Sequence, residues 1–215
     1  MSETEHASTR ERILKVASKL FGGRGYGSTS VRDIAQEAQV NIASLNYHFK
    51  SKQDLLWEII DGADKHMCAI AEEAAQRTDQ FEEACVQLCD KMMEISEEVR
   101  AVMRVFISEV DESYKDHFRE LCDDGAVGPP GTEALAKVLE KSVKRKLSQD
   151  EKIWAVRSMF MMILMWTMMS NSPFHKIKIE TDAKYFSKKS ILKDVRALAA
   201  SLVQTLESNA PKIKY

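Results

Sequence analysis

An all-α fold in two parts is what this chain predicts, and three observations predict it. Glycine and proline are scarce, 8 and 4 in 215 residues, while strong helix formers abound. Apolar residues recur at three- and four-residue intervals through most of the length. Between residues 26 and 55 short helical stretches leave polar and aromatic side chains outside any stripe, and a long periodic helix then begins. The expected architecture is an N-terminal three-helix domain of helix–turn–helix form (residues 1–50, the first seven or so disordered). A long fourth helix joins it to a C-terminal helical domain (51–215).

The first helix is expected over about 9–21, with Ile13, Ala17, Leu20 and Phe21 on one face and Arg12, Lys15 and Lys19 turned away. Gly22, Gly23, Gly25 and Gly27 follow as stop signals. Ser30-Val31-Arg32-Asp33 has capping-box form, with Thr29 as an alternative cap, and Val31, Ile34, Ala35 and Ala38 make the buried stripe of the second helix. Gln39-Val40-Asn41 is the turn. Asn41 can cap a third helix, about 42–48, whose Leu45 and Phe49 face inward. Ser51 caps the fourth, whose stripe Leu56, Ile59, Ile60, Ala63, Met67, Ile70, Ala71 and Ala74 stays in phase. Further helices are expected at about 79–95, 97–122, 132–146, 149–170 and 188–208. A break falls at 125–131 and a long connection around Pro173, over 170–187.

The formal charge of −2 divides unevenly. Residues 1–56 carry eight Lys/Arg against six Asp/Glu, and the remainder twenty-three against twenty-seven. A basic N-terminal part beside an acidic remainder points to an anionic partner at one end. The start of the chain is polar and acidic, unlike a secretory signal, and the longest apolar run, 158–169, is too short to span a bilayer. A cytoplasmic protein with no membrane partner is expected. The cysteines (Cys68, Cys85, Cys89, Cys122) fit no zinc spacing. Cys85 and Cys89 share a helical face, open to a metal pair, but buried thiols are the expected state. No cofactor and no metal are expected. No catalytic framework is visible: there is no phosphate-cradling glycine loop, and His6, His48, His66, His117 and His175 are scattered.

The third helix carries the functional signal. Its outward residues suit a groove that admits one helix: Asn46 can bond an adenine edge, Ser44 several bases, and Ile42 and Ala43 a thymine methyl. Tyr47, His48, Lys50 and Lys52 are placed for phosphates, and a further phosphate suits the cap region of the second helix, with Thr29, Ser30 and Arg32. Asn41 completes the set. Tyr47 and His48 could instead pack against the first helix, and Ile42 be half-buried. Double-stranded DNA is the expected partner.

The run Thr29-Ser30-Val31-Arg32-Asp33-Ile34-Ala35, then Val40, then Leu45-Asn46-Tyr47-His48-Phe49-Lys50-Ser51-Lys52 and Leu55, resembles the N-terminal domain of TetR-family transcriptional regulators. Ile13, Leu14, Ala17, Leu20, Phe21, Gly25 and Tyr26 fit the same pattern, so the resemblance covers about residues 8–56. Two positions depart from it. Gln39 stands where the family usually has Gly, at a position that favours a left-handed backbone, and Asn46 stands where Tyr is commoner. The resemblance implies a homodimer on a palindromic operator, most simply a repressor, with the last two helices of each subunit forming the interface. It also implies release by a small-molecule effector held among the central helices, acting through the fourth helix.

An apolar or aromatic effector would suit the methionine-rich segment 153–169. Candidate lining residues are His66, Cys89, Phe106, Trp154, Met161, Met162, Met165 and Trp166, each also open to an ordinary core or dimer role. Tyr114, His117 and Phe118 extend the same set. Candidate interface residues are Met168 and Met169 with the stripe Ile191, Val195, Leu198, Leu202 and Leu206. The runner-up is a ligand-independent or architectural DNA-binding protein.

Overall fold

The computed structural model describes residues 3–95, 100, 103, 131–170 and 172–208. Among them every regular element is a helix. The expected helix at 97–122 and most of the break at 125–131 lie outside the described residues. The described residues fall into two compact units: one holds those up to Asp64 with Arg100 and Met103, the other those of 65–95 and 131–208.

The first unit begins with α1, Glu3–Arg24. It starts six residues before the expected position. Nothing before Thr9 breaks a helix, and the acids Glu3 and Glu5 suit a helix N-terminus. Gly22 and Gly23 do not stop it either. The stop is Gly25, at φ 87, with its N–H on the Phe21 carbonyl at 2.9 Å. Helices α2, Val31–Glu37, and α3, Ile42–His48, follow. The next helix, α4, Lys52–Gln76, is capped by Ser51, whose Oγ accepts the Asp54 N–H at 3.0 Å. Ile13, Ala17, Leu20 and Phe21 of α1 meet Ile34, Ala35 and Ala38, Leu45 and Phe49, and Leu55 to Ala63 in one core cluster. The α4 stripe is buried along its whole predicted length, from Leu56 to Ala74.

The second unit contains α5, Phe81–Met93; α6, Thr132–Ser142; α7, Gln149–Met169; α8, Pro173–Phe186; and α9, Lys188–Glu207. Helix α9 lies along α5, and both pack on α7. Ser142 Oγ accepts the Phe81 N–H at 2.7 Å, standing in for the side-chain cap that Gln80 does not supply. Gly131 precedes α6 at φ 88, and a Cβ there would come within 3.0 Å of Ala71 Cβ, so only glycine suits it. The expected connection at 170–187 is a correction: it is mostly helix. Ser172 accepts the His175 N–H at 3.1 Å and Pro173 occupies the first helical turn, so this proline starts a helix instead of interrupting one. A kink at Asp182 (φ −138, ψ 41) divides α8. No single helix among the described residues is long and apolar enough to cross a membrane.

Candidate nucleic-acid interface

The site is built from two short helices whose ends are fixed by their own side chains. Ser30 caps α2 with a full capping box: its Oγ accepts the Asp33 N–H at 3.2 Å, and the Asp33 carboxylate accepts the Ser30 N–H at 2.8 Å. The hydroxyl of Ser30 also donates to Asp33 Oδ2 at 2.6 Å, and these bonds hold the Asp33 carboxyl below its usual range. Between the helices Gln39 stands at φ 53, the left-handed region, while the Val40 N–H closes on the Ala35 carbonyl at 2.9 Å. Asn41 Oδ1 then accepts the Ser44 N–H at 2.7 Å and starts α3.

That start fixes which face of α3 is outward. Leu45 and Phe49 are buried, and Ile42, Ala43, Asn46 and Tyr47 are exposed. Tyr47 is 77% exposed, which rules out packing against α1, and its ring meets the half-buried His48 edge-on at 5.3 Å. Ser44 is half-buried. The structure therefore brings Ile42, Ala43, Asn46 and Tyr47 to one exposed helix, with Arg32 and Lys50 exposed nearby in sequence. Neither Arg32 nor Lys50 enters an ion pair among the described residues.

Two expected phosphate contacts sit differently. Thr29 is 1% exposed, and its hydroxyl donates to the Gly25 carbonyl at 2.8 Å, so it closes the α1–α2 turn and offers nothing to solvent. The Lys52 ammonium donates to the carbonyls of Tyr26 and Thr29, each at 2.9 Å, and lies 4.0 Å from the centre of the Tyr26 ring. Sequence reasoning also missed Arg10 and Arg12. Arg10 pairs with Glu58 and lies 5.2 Å over the Phe49 ring, and Arg12 Nε donates to the Ala38 carbonyl at 2.9 Å. No sequence signal announces these partners, which are tens of residues apart.

In the second unit the candidate effector residues scatter. His66 is exposed on α4, and Met161 and Met165 are 54% and 59% exposed, so none of the three lines an interior site within this chain. Trp154, Met162 and Trp166 are half-buried. Cys85 and Cys89 are fully buried, and burial raises both thiols, Cys89 to about 12. Phe106, Tyr114, His117, Phe118 and Cys122 lie outside the described residues. No group of three or more His, Cys, Asp or Glu among the described residues is arranged to hold a metal ion. The expected dimer stripe is also corrected: Ile191, Val195, Leu202 and Leu206 are core residues, and only Leu198, 37% exposed, faces outward. Met168 and Met169 are half-buried. An unforeseen aromatic cluster forms where α8 meets α7, with the Trp166 ring edge-on to His175 at 6.4 Å and to Phe186 at 6.3 Å. His175 is buried there, and its Nδ1 has no hydrogen-bond partner among the described residues.

Residues 13–59 match the family model described as "Bacterial regulatory proteins, tetR family". The probable HTH-type transcriptional regulator YttP of Bacillus subtilis is 31% identical over 105 residues, 48% of this chain and 51% of that protein. The HTH-type transcriptional repressor KstR2 of Mycolicibacterium smegmatis is 40% identical over 57 residues, 26% of this chain and 28% of that one. The chain thus spans about half the length of the first relative and little more than a quarter of the second. Among solved structures, a putative tetR-family transcriptional regulator from Mesorhizobium loti superposes at TM-score 0.65 with 17% identity, covering 95% of this chain and 98% of that one. FadR of Bacillus subtilis, in complex with stearoyl-CoA, does so at 0.58 with 16% identity, over 94% and 99%. At those identities the likeness is one of fold.

Proposed function

We propose that this chain, whose residues 13–59 match the model for the tetR family of bacterial regulatory proteins, is a ligand-responsive transcriptional regulator, acting as a repressor. The observation that carries the reading is α3 itself: a capped helix whose core side is filled by Leu45 and Phe49 while Ile42, Ala43, Asn46 and Tyr47 stand in solvent. In the proposed complex α3 enters the major groove, where Ile42, Ala43, Ser44 and Asn46 meet base edges. Arg32, Lys50, Tyr47, His48 and the backbone at the Ser30 cap take phosphates. Residues 1–50 form the DNA-binding part and 51–215 the effector-binding and dimerisation part, in a cytoplasmic homodimer on a palindromic operator.

The effector is a small apolar or aromatic molecule. Supporting it are the half-buried Trp154, Met162 and Trp166 and the buried His175, whose Nδ1 has no partner among the described residues. FadR with stearoyl-CoA is a precedent on this fold for a ligand with a long apolar tail. Such a ligand releases DNA only through different affinities for two conformations, a coupling of typically about 1–3 kcal/mol.

The test is selection of a duplex from a random library by the full chain, followed by mobility-shift titration of Asn46→Ala on single-base variants of that duplex. The expected result is a selected palindrome and a preference relaxed at particular base pairs, each by about 1–3 kcal/mol. A variant that discriminates every base pair as the wild type does would show that α3 does not read the sequence.

A further inference from the structure

Lys52 stands one residue after the Ser51 cap, where the helix dipole disfavours a cation. The expected remedy is a phosphate at that end of α4, but the structure supplies another. An ammonium has three donors. Two of those on Lys52 meet the carbonyls of Tyr26 and Thr29, at 2.9 Å each, and the remaining face of the cation rests 4.0 Å from the Tyr26 ring centre. The side chain is half-buried, and two of the three donors and one face of the charge are directed at the chain itself.

The residues it holds are the α1–α2 turn. The Tyr26 carbonyl also accepts the Thr29 N–H at 3.2 Å, the Thr29 hydroxyl reaches the Gly25 carbonyl, and Ser30 next in line caps α2. At the other end of α2, Arg12 holds the Ala38 carbonyl. Helix α2 is thereby fixed at both ends, and the fixing group on its N-terminal side belongs to α4. Lys52 thus ties the first turn of α4 to the segment that presents α2, and through it α3, to the groove.

We propose that Lys52 is a positioning residue that couples α4 to the DNA-reading helices and makes no phosphate contact; the proposal rests on the regulator reading above. Phosphate binding then falls to Arg32 and Lys50. When α4 shifts, the turn at 25–30 moves with it, because two charge-assisted hydrogen bonds would otherwise be broken in a half-buried site.

The test compares the full-length wild type, Lys52→Met, Lys52→Arg and Lys50→Met on a duplex selected by the wild type, titrated across a range of KCl, with amide exchange followed over residues 25–33. Lys50→Met is expected to lower the slope of log K against log salt by about one. Lys52→Met is expected to weaken binding by roughly tenfold at every salt, the worth of about one charge-assisted hydrogen bond, with an unchanged slope and faster exchange over 25–33. Where Lys52→Met does not fold, Lys52→Arg decides. Its planar fork serves a phosphate well but cannot seat on two carbonyls and a ring as the ammonium does, so lost affinity with the full slope supports positioning. A slope lowered by about one in Lys52→Met with unchanged exchange, or wild-type affinity in Lys52→Arg, would overturn the proposal. A wild type that selects no duplex would sink the regulator reading instead, and the exchange comparison would still show whether Lys52 holds the turn.

Discussion

In the N-terminal unit large apolar side chains reach solvent at two described positions, Ile42 and Tyr47, and both lie on α3. In the C-terminal unit seven do so: Met161 and Met165 on α7, Phe174, Ile177, Ile179 and Tyr185 on α8, and Leu198 on α9. The company they keep differs as much as the number. Ile42 and Tyr47 stand beside an exposed amide, Asn46, and a cation, Lys50, which suits a target with methyl groups, hydrogen-bonding edges and phosphates. The seven are confined to three successive helices and include flexible methionines and aromatic rings. A second copy of the chain, in the homodimer proposed above, is the partner that suits exposed apolar side chains of this kind. Exposure is informative here through its neighbours.

The largest expected effect attacks the apolar side of that contrast. Met161→Lys with Met165→Lys places two charges where the proposed dimer excludes water, a desolvation cost of several kcal/mol. Because both side chains are exposed in the single chain, the fold should be untouched. Sedimentation velocity is expected to show a dimer for the wild type and a dissociation constant raised roughly a hundredfold or more for the double variant. Unchanged association would mean that this face is not the dimer contact, and the contrast between the units would lose its interpretation.

Why the two regions differ in legibility is a matter of phase. Helices α2 and α3 each bury one side, so Ile34, Ala35 and Ala38, and then Leu45 and Phe49, announce which side is left for the groove. Capping residues announce where each helix starts. Helix α7 is apolar nearly all round and offers no such phase. Met161 and Met165 were open to a pocket or to an interface and prove to be exposed. The stripe of α9 suits an interface by its spacing, yet Ile191, Val195, Leu202 and Leu206 fill the core against α5 and α7. The partners of Lys52 are illegible for a different reason. Its partners lie 26 and 23 residues away, and a charge count cannot tell a cation aimed at DNA from one aimed at its own backbone. Pro173 reads as a break, yet the Ser172 cap before it makes it the start of a helix.

A second, smaller test asks whether polar fastening matters in the C-terminal unit as it does around α2. Arg145 donates to both oxygens of Glu151, at 2.7 and 3.1 Å, and its Nε reaches the Leu206 carbonyl at 2.6 Å, tying the start of α7 to the end of α9. The Arg145 guanidinium, followed by the Ser148 N–H, lowers the Glu151 carboxyl from 4.5 to about 2. A pKa depressed on folding contributes stability that is fully present above the unfolded value. It fades as the pH drops from 4.5 through about 2. Glu151→Gln is therefore expected to melt below the wild type at neutral pH, with the gap narrowing in thermal melts at about pH 3. A gap of constant size would show that the pair contributes nothing through its charge.

The smallest expected effect lies in the turn of the reading head. Gln39 has φ 53, which costs an L-residue about 1–2 kcal/mol of steric strain, whereas glycine adopts it freely. Glycine also gives the unfolded chain more freedom, which takes back about 0.4–1 kcal/mol. Relief should exceed loss slightly, so Gln39→Gly is expected to gain about 0.5 kcal/mol in urea unfolding. Gln39→Val, β-branched at positive φ, should lose about 1–2 kcal/mol. The pair of variants separates two accounts of the turn. If glycine stabilises and valine destabilises, the turn carries backbone strain that the Val40–Ala35 bond and the α2–α3 packing overcome. Should both destabilise by equal amounts, the Gln39 side chain itself holds the turn, and the geometry of α3 would rest on a contact that the backbone alone does not reveal.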